Sequence, residues 1–153
     1  MAKSSCCGLS YLSIKFIAMW KYLRLSFLPF EHIDASQSAI LRDTELTIVG
    51  FPQGLGIQGR FSPLTFRSYA ASSFMTLPRT DTQTSFNFFC LEQPSMGGYS
   101  GGPVWDLGYR IMGAIETTDS NTKIKGVVHG TLSDATGGKL ALVTPTYYLR
   151  DIV

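Results

Sequence analysis

The sequence predicts an all-β fold, an antiparallel barrel or sandwich. Three observations carry that prediction. Short runs rich in β-branched and aromatic residues recur at regular spacing. Fifteen glycines and seven prolines punctuate them, which places tight turns between the runs. A helix is predicted only at the C-terminal end.

Residues 10–22 alternate imperfectly (Ser13, Ile14, Lys15, Phe16, Ile17, Ala18) and predict a first strand, ended by Leu28-Pro29-Phe30. Residues 34–42 form a polar connector. Residues 45–51, Glu-Leu-Thr-Ile-Val-Gly-Phe, predict a clear strand stopped by Pro52 and Gly54. Residues 64–77 alternate loosely and read as one long strand or two, and residues 80–85 as a polar loop. Residues 86–91 predict another apolar strand. Short strands follow over 104–106 and 110–115, joined by a turn at Gly108, and 116–122 read as a polar turn. Residues 125–131 and 140–144 complete the set, around a turn at 134–138. Thr146 is placed to cap a helix over 147–152. Phe86, Phe88, Phe89, Trp105, Tyr147 and Tyr148 are expected in the core, and Asp34, Asp43 and Glu45 as solvated surface charges.

A chain of 153 residues, 44% apolar and 16% charged, suits one globular domain with a real core. The net charge of +2 is carried by scattered Lys and Arg, so neither nucleic acid nor an anionic membrane is an expected partner. Cys6, Cys7 and Cys90 are odd in number, with two adjacent, a poor disulfide framework; the thiols are expected to be reduced or incidental. No His/Cys grouping has metal spacing, and no metal or cofactor is expected. The longest uncharged run near the N-terminus, residues 4–14, is far short of the roughly 20 residues a spanning helix needs. Lys3 and a short apolar run lack a small-residue cleavage site. No signal peptide is predicted, and the cytoplasm is slightly favoured as compartment.

The chemistry concentrates in Pro94-Ser95-Met96-Gly97-Gly98-Tyr99-Ser100-Gly101-Gly102-Pro103-Val104. So many glycines around one hydroxyl predict a sharp, exposed turn that presents Ser100. The stretch satisfies Gly-x-Ser-x-Gly, the nucleophile elbow of α/β-hydrolases, but that motif needs a helix directly after it. Gly101-Gly102-Pro103 followed by Val104-Trp105 shows no helical period, which argues against that architecture.

Gly98-Tyr99-Ser100-Gly101-Gly102-Pro103 resembles the nucleophile loop of the trypsin-like, chymotrypsin-fold serine proteases, usually Gly-Asp-Ser-Gly-Gly-Pro. Residues 41–56 resemble the strand and Gly-x-Pro-x-Gly turn that open the second barrel in bacterial members. Val127-Val128-His129-Gly130 resembles the strand beside the specificity pocket, and residues 140–148 the last strand and its helix. The resemblance implies a six-stranded antiparallel barrel of chymotrypsin type with a short C-terminal helix. Residues 1–40 would be a leader with a remnant strand of the first barrel, and residues 41–153 the second barrel.

The function implied is a serine endopeptidase acting on a peptide or protein substrate through an acyl-enzyme on Ser100, with no cofactor. The Gly98 and Ser100 N–H groups would form the oxyanion hole. Ser95, with Pro94, would lie at the base of the specificity pocket; His129 and Gly130 would line it, His129 facing an acidic side chain. The plainer reading of a lone His in an apolar strand is a satisfied core residue. No carboxylate lies at the pocket base, so preference for Arg or Lys is not expected. Tyr99 replaces the family's Asp or Asn, so activation by propeptide cleavage is not expected either.

The family's histidine and aspartate precede the serine. Here there are two histidines. His129 follows Ser100, and His32 falls after the strand where the aspartate belongs. The aspartate position aligns near Phe16. Neither the base nor its orienting carboxylate is identifiable. The expected activity is therefore weak or absent, through truncation or through descent to a non-catalytic peptide-binding module. The face a first barrel would cover is expected to drive self-association.

Overall fold

The computed structural model describes residues 28–151 apart from residues 60, 80–81, 94–95, 113–114 and 119–120. The strand expected over residues 10–22, Phe16, Cys6 and Cys7, the pocket-base pair Pro94 and Ser95, and residue 152 lie outside the described residues.

The fold is all-β and antiparallel. Its strands are β1 (Glu45–Gly50), β2 (Leu64–Tyr69), β3 (Met75–Pro78), β4 (Ser85–Leu91), β5 (Pro103–Asp106), β6 (Tyr109–Met112), β7 (Ile115–Thr118), β8 (Lys123–Ser133) and β9 (Lys139–Pro145). The main sheet runs β2-β1-β5-β8-β9-β4-β3, and β6 pairs with β7 in a separate two-stranded sheet. Seven strands stand where six were expected, and the ladder is open, with β2 and β3 at its edges. The end of β2 nevertheless meets the end of β4. An isolated antiparallel bridge joins Ala70 to Leu91. It is flanked by the Ala71 N–H on the Cys90 carbonyl at 2.8 Å and the Glu92 N–H on the Tyr69 carbonyl at 3.0 Å.

Alternation of side chains between faces decides the core. In β1, Leu46, Ile48 and Gly50 point inward. Val104 does so from β5, Val128 from β8, and Ala141 and Val143 from β9. Phe89 and Leu91 of β4 meet them, fully buried. Each such Leu, Ile or Val contributes roughly 1.5–3 kcal/mol. Phe88, Phe89 and Tyr147 are buried as expected, whereas Phe86, Trp105 and Tyr148 are only half-buried. Cys90 is a free, buried thiol. Burial pushes its pKa up, against a bond from Ser72.

Several expectations change. The loosely alternating 64–77 stretch is two strands, β2 and β3. Residues 115–118, read largely as a polar turn, form β7 and pair with β6; their side chains are all exposed, so no apolar alternation marks them. The closing element is a 3-10 helix, Thr146–Asp151. Thr146 does not serve as its cap. Its hydroxyl lies 2.8 Å from the Asp34 carbonyl and 2.9 Å from the Ile124 carbonyl, tying the N-terminal segment to β8.

That N-terminal segment lies along the start of β8. Ile33 bridges to Ile124 in parallel. The Asp34 N–H donates to the Ile124 carbonyl at 3.0 Å. Lys125 Nζ is 2.7 Å from Asp34 Oδ2 and 3.9 Å from Asp106 Oδ2. Arg110 closes a fork on Asp106 at 2.9 and 3.0 Å. Asp34 is thus a half-buried partner rather than a solvated charge, and Glu45 is 3.3 Å from Arg67 with its side chain 15% exposed. No described helix is long and apolar enough to cross a membrane.

Candidate active site

Ser100 sits on a turn held by backbone on both sides. On one side, the Phe51 and Gln53 N–H groups donate to the Gly98 and Gly97 carbonyls at 3.1 and 3.0 Å. On the other, the Gly101 N–H donates to the Val128 carbonyl at 2.8 Å, and the Val128 N–H returns a bond to the Gly102 carbonyl at 2.9 Å. The loop is therefore clamped between the exit of β1 and the middle of β8.

Two glycines make that clamp possible. Gly98 has φ +105°, and a Cβ there would lie 2.3 Å from the Phe51 carbonyl oxygen and 2.6 Å from Pro52 Cα. A Cβ on Gly102 would lie 2.2 Å from the Val49 carbonyl oxygen. Any side chain at either position would push the loop off β1. Gln53 facing them has φ 53°, a left-handed conformation that costs roughly 1–2 kcal/mol and that the Gly97 bond helps hold.

Tyr99 is the anchor. It is 4% exposed, and its ring meets Phe66 of β2 edge-on, centroids 4.8 Å apart. Its carbonyl accepts the Gly102 N–H at 2.8 Å. Read from sequence, Tyr99 is only a departure from Asp or Asn; in the fold it is a core side chain. The next residue, Ser100, is exposed. Among the described residues no group accepts a hydrogen bond from its hydroxyl.

Ser100 and Gly98 line one cleft of about 400 Å³ with Gly50, Phe51, Phe61 and Pro63. His129 and Gly130 do not line it. They belong to a separate groove of about 420 Å³ with Leu77, Arg79, Phe88 and Leu142. Residue 129 is the extra residue of a bulge: Val128 pairs with Val143 and Gly130 with Leu142, leaving His129 without a β9 partner. Its ring is exposed and tilted against Phe88 at 5.0 Å. It is not the satisfied core histidine of the plainer reading. Ser95 lies outside the described residues.

His32 is spent elsewhere. Its Nδ1 is 3.0 Å from the Thr122 carbonyl. Thr122 is six residues before Val128, where the Ser100 loop is clamped, a separation of about 20 Å along an extended strand. No group of three or more His, Cys, Asp or Glu among the described residues could hold a metal. A further hollow of about 510 Å³ at the β8–β9 turn, lined by Leu132, Ser133, Asp134 and Lys139 among others, includes none of the predicted site residues. No protein-family model matches this chain, and no curated protein matches it either.

Proposed function

We propose that residues 41–153 are the second barrel of a trypsin-like serine endopeptidase, with Ser100 as acyl-accepting nucleophile. The observation that carries this reading is the Ser100 turn: an exposed hydroxyl on a loop clamped by backbone bonds, beside a cleft with room for a peptide. A nucleophile held by main chain is oriented without entropic cost at the moment of attack. The N–H groups of Gly98 and Ser100 are the proposed oxyanion hole, each worth about 3–4 kcal/mol in the transition state.

The chymotrypsin-type barrel belongs to the same proposal. Taken through the Ala70–Leu91 bridge, β1, β2, β4, β9, β8 and β5 make a circuit of six antiparallel strands, with β3 as a hairpin extension of β4. That circuit supports a barrel whose first and last neighbours meet at one end.

Peptide hydrolysis by this chain is expected to be weak or absent. A serine hydroxyl needs a base to take its proton. The chain has two histidines; His32 bonds Thr122, and His129 opens to a different groove. Without the base, only the roughly 10³–10⁴-fold left to oxyanion-hole and binding effects in serine proteases remains. That same observation favours a second reading, a peptide-binding module that keeps the cleft without turnover. Trapping distinguishes them: incubation with an activated ester, then intact mass and peptide mapping, should find the acyl group on Ser100. Acylation elsewhere, or none, leaves the binding module.

Self-association is part of the proposal. Leu55, Ile57 and Phe61, exposed by 55%, 57% and 76%, crowd the loop that borders the cleft. Light scattering should show mass rising with concentration. A monodisperse monomer at all concentrations contradicts it.

A further inference from the structure

We infer a second binding site beside the Ser100 loop: the pocket between β2 and that loop takes a small neutral molecule made of one aromatic ring and a hydrogen-bond acceptor. The pocket has a volume of about 170 Å³ and is lined by Phe66, Gln93, Met96 and Tyr99. It lies at the seam where the ends of β2 and β4 meet. Past the Ala70–Leu91 bridge, the Glu92 N–H donates to the Tyr69 carbonyl at 3.0 Å, and the Gln93 N–H to the Ser68 hydroxyl oxygen at 3.2 Å. The pocket opens beyond those bonds, with Phe66 contributed by β2 and Met96 and Tyr99 by the loop.

Tyr99 supplies the observation that points to a ligand. It is only 4% exposed. Among the described residues nothing bonds its hydroxyl, yet the oxygen is not sealed from solvent. A buried hydroxyl is normally bonded, and the space open to this one is the pocket. The ligand therefore brings an acceptor. None of the four lining side chains is charged at neutral pH, so a charged group would enter unpaired, which is costly. Three of the four favour an aromatic ring. Phe66 and Tyr99 meet edge-on at 4.8 Å, a geometry that a third ring can extend, and a thioether such as that of Met96 favours ring edges. The size agrees, because an apolar cavity of about 150 Å³ holds one benzene. The site goes beyond the reading of Ser100 as a nucleophile and does not rest on it.

Ligand-observed NMR titration of the full chain with acetophenone, cyclohexyl methyl ketone and benzoate tests this. Acetophenone should bind at least about tenfold more tightly than benzoate, whose carboxylate meets no cation in the pocket. It should bind about threefold more tightly than the saturated ketone. Tyr99→Phe should weaken acetophenone about fivefold without lowering the thermal midpoint, because the hydroxyl it removes has no partner among the described residues. Gln93→Trp, at an exposed position on the rim, should fill the pocket and abolish binding. No binding of acetophenone, equal binding of benzoate or of the saturated ketone, or an unchanged affinity in either variant overturns the inference. Ester trapping at Ser100 in the same preparation reports the nucleophile separately. Binding without trapping keeps the pocket and removes the nucleophile; trapping without binding does the reverse.

Discussion

The start and the middle of β8 hold their polar groups in opposite ways. At its start, side chains do the holding: Lys125 bonds Asp34, Arg110 bonds Asp106, His32 meets the Thr122 carbonyl, and Lys123 reaches the Glu31 carbonyl. At Val128, backbone does it. The Gly101 and Gly102 bonds fix the loop, and the Ser100 hydroxyl is left without a partner among the described residues. The difference teaches how to sort catalytic-looking residues. His32 and Asp34 are a His and an Asp that precede Ser100 and lie close in sequence, yet both are consumed by structural bonds at the start of β8. A reactive group needs the opposite arrangement, a rigid support that asks nothing of the side chain itself.

If that contrast holds, substitutions at the two places should behave differently. The largest effect is expected at the backbone clamp. Gly98→Ala or Gly102→Ala drives a methyl into the Phe51 or Val49 carbonyl and should cost about 3–5 kcal/mol in urea denaturation. A loss under about 1 kcal/mol would mean that the loop is not clamped as described. Next comes Asp106→Ala, which removes the 5% exposed carboxylate on which Arg110 closes its fork and which lies 3.9 Å from Lys125. The expected cost is about 2–3 kcal/mol, less than for a wholly buried pair because Arg110 is partly exposed.

A smaller effect separates the two places by pH. Burial would raise the Asp34 carboxyl, but bonds from Lys125 and Ser36 outweigh it and hold the pKa below the ordinary value of 3.8. A depressed folded pKa contributes stability above the unfolded value that is lost as pH falls through the folded one. Asp34→Asn should therefore lower the unfolding free energy from urea denaturation at pH 7 by about 1 kcal/mol. The gap to the parent should narrow as pH drops below about 4. A gap that stays constant down to pH 2 would remove the ion pair from the account. The smallest effect is at Ser100 itself: Ser100→Ala should change stability by less than about 0.5 kcal/mol.

Much of this was legible in the chain. Leu46 and Ile48 alternate with Glu45, Thr47 and Val49, and that period alone places β1 and its inward face. The glycines around Ser100 announced the turn. What was not legible depends on partners distant in sequence. Asp34 and Lys125 are 91 residues apart, so nothing local marks Asp34 as paired. The fate of Tyr99 depends on Phe66 across the loop. The bulge at His129 is a mismatch between β8 and β9, invisible in either strand alone. β7 is exposed throughout and leaves no apolar pattern to read.

The central claim is that Ser100 is a positioned nucleophile that lacks only a base. The most direct measurement is its rate of modification by a fluorophosphonate, read by peptide mapping, with and without added imidazole and with Ser100→Ala as reference. Slow modification at Ser100, accelerated as imidazole is raised and absent in Ser100→Ala, is the predicted result. Modification that is already fast without imidazole, or no modification of Ser100 at any imidazole concentration, would contradict it.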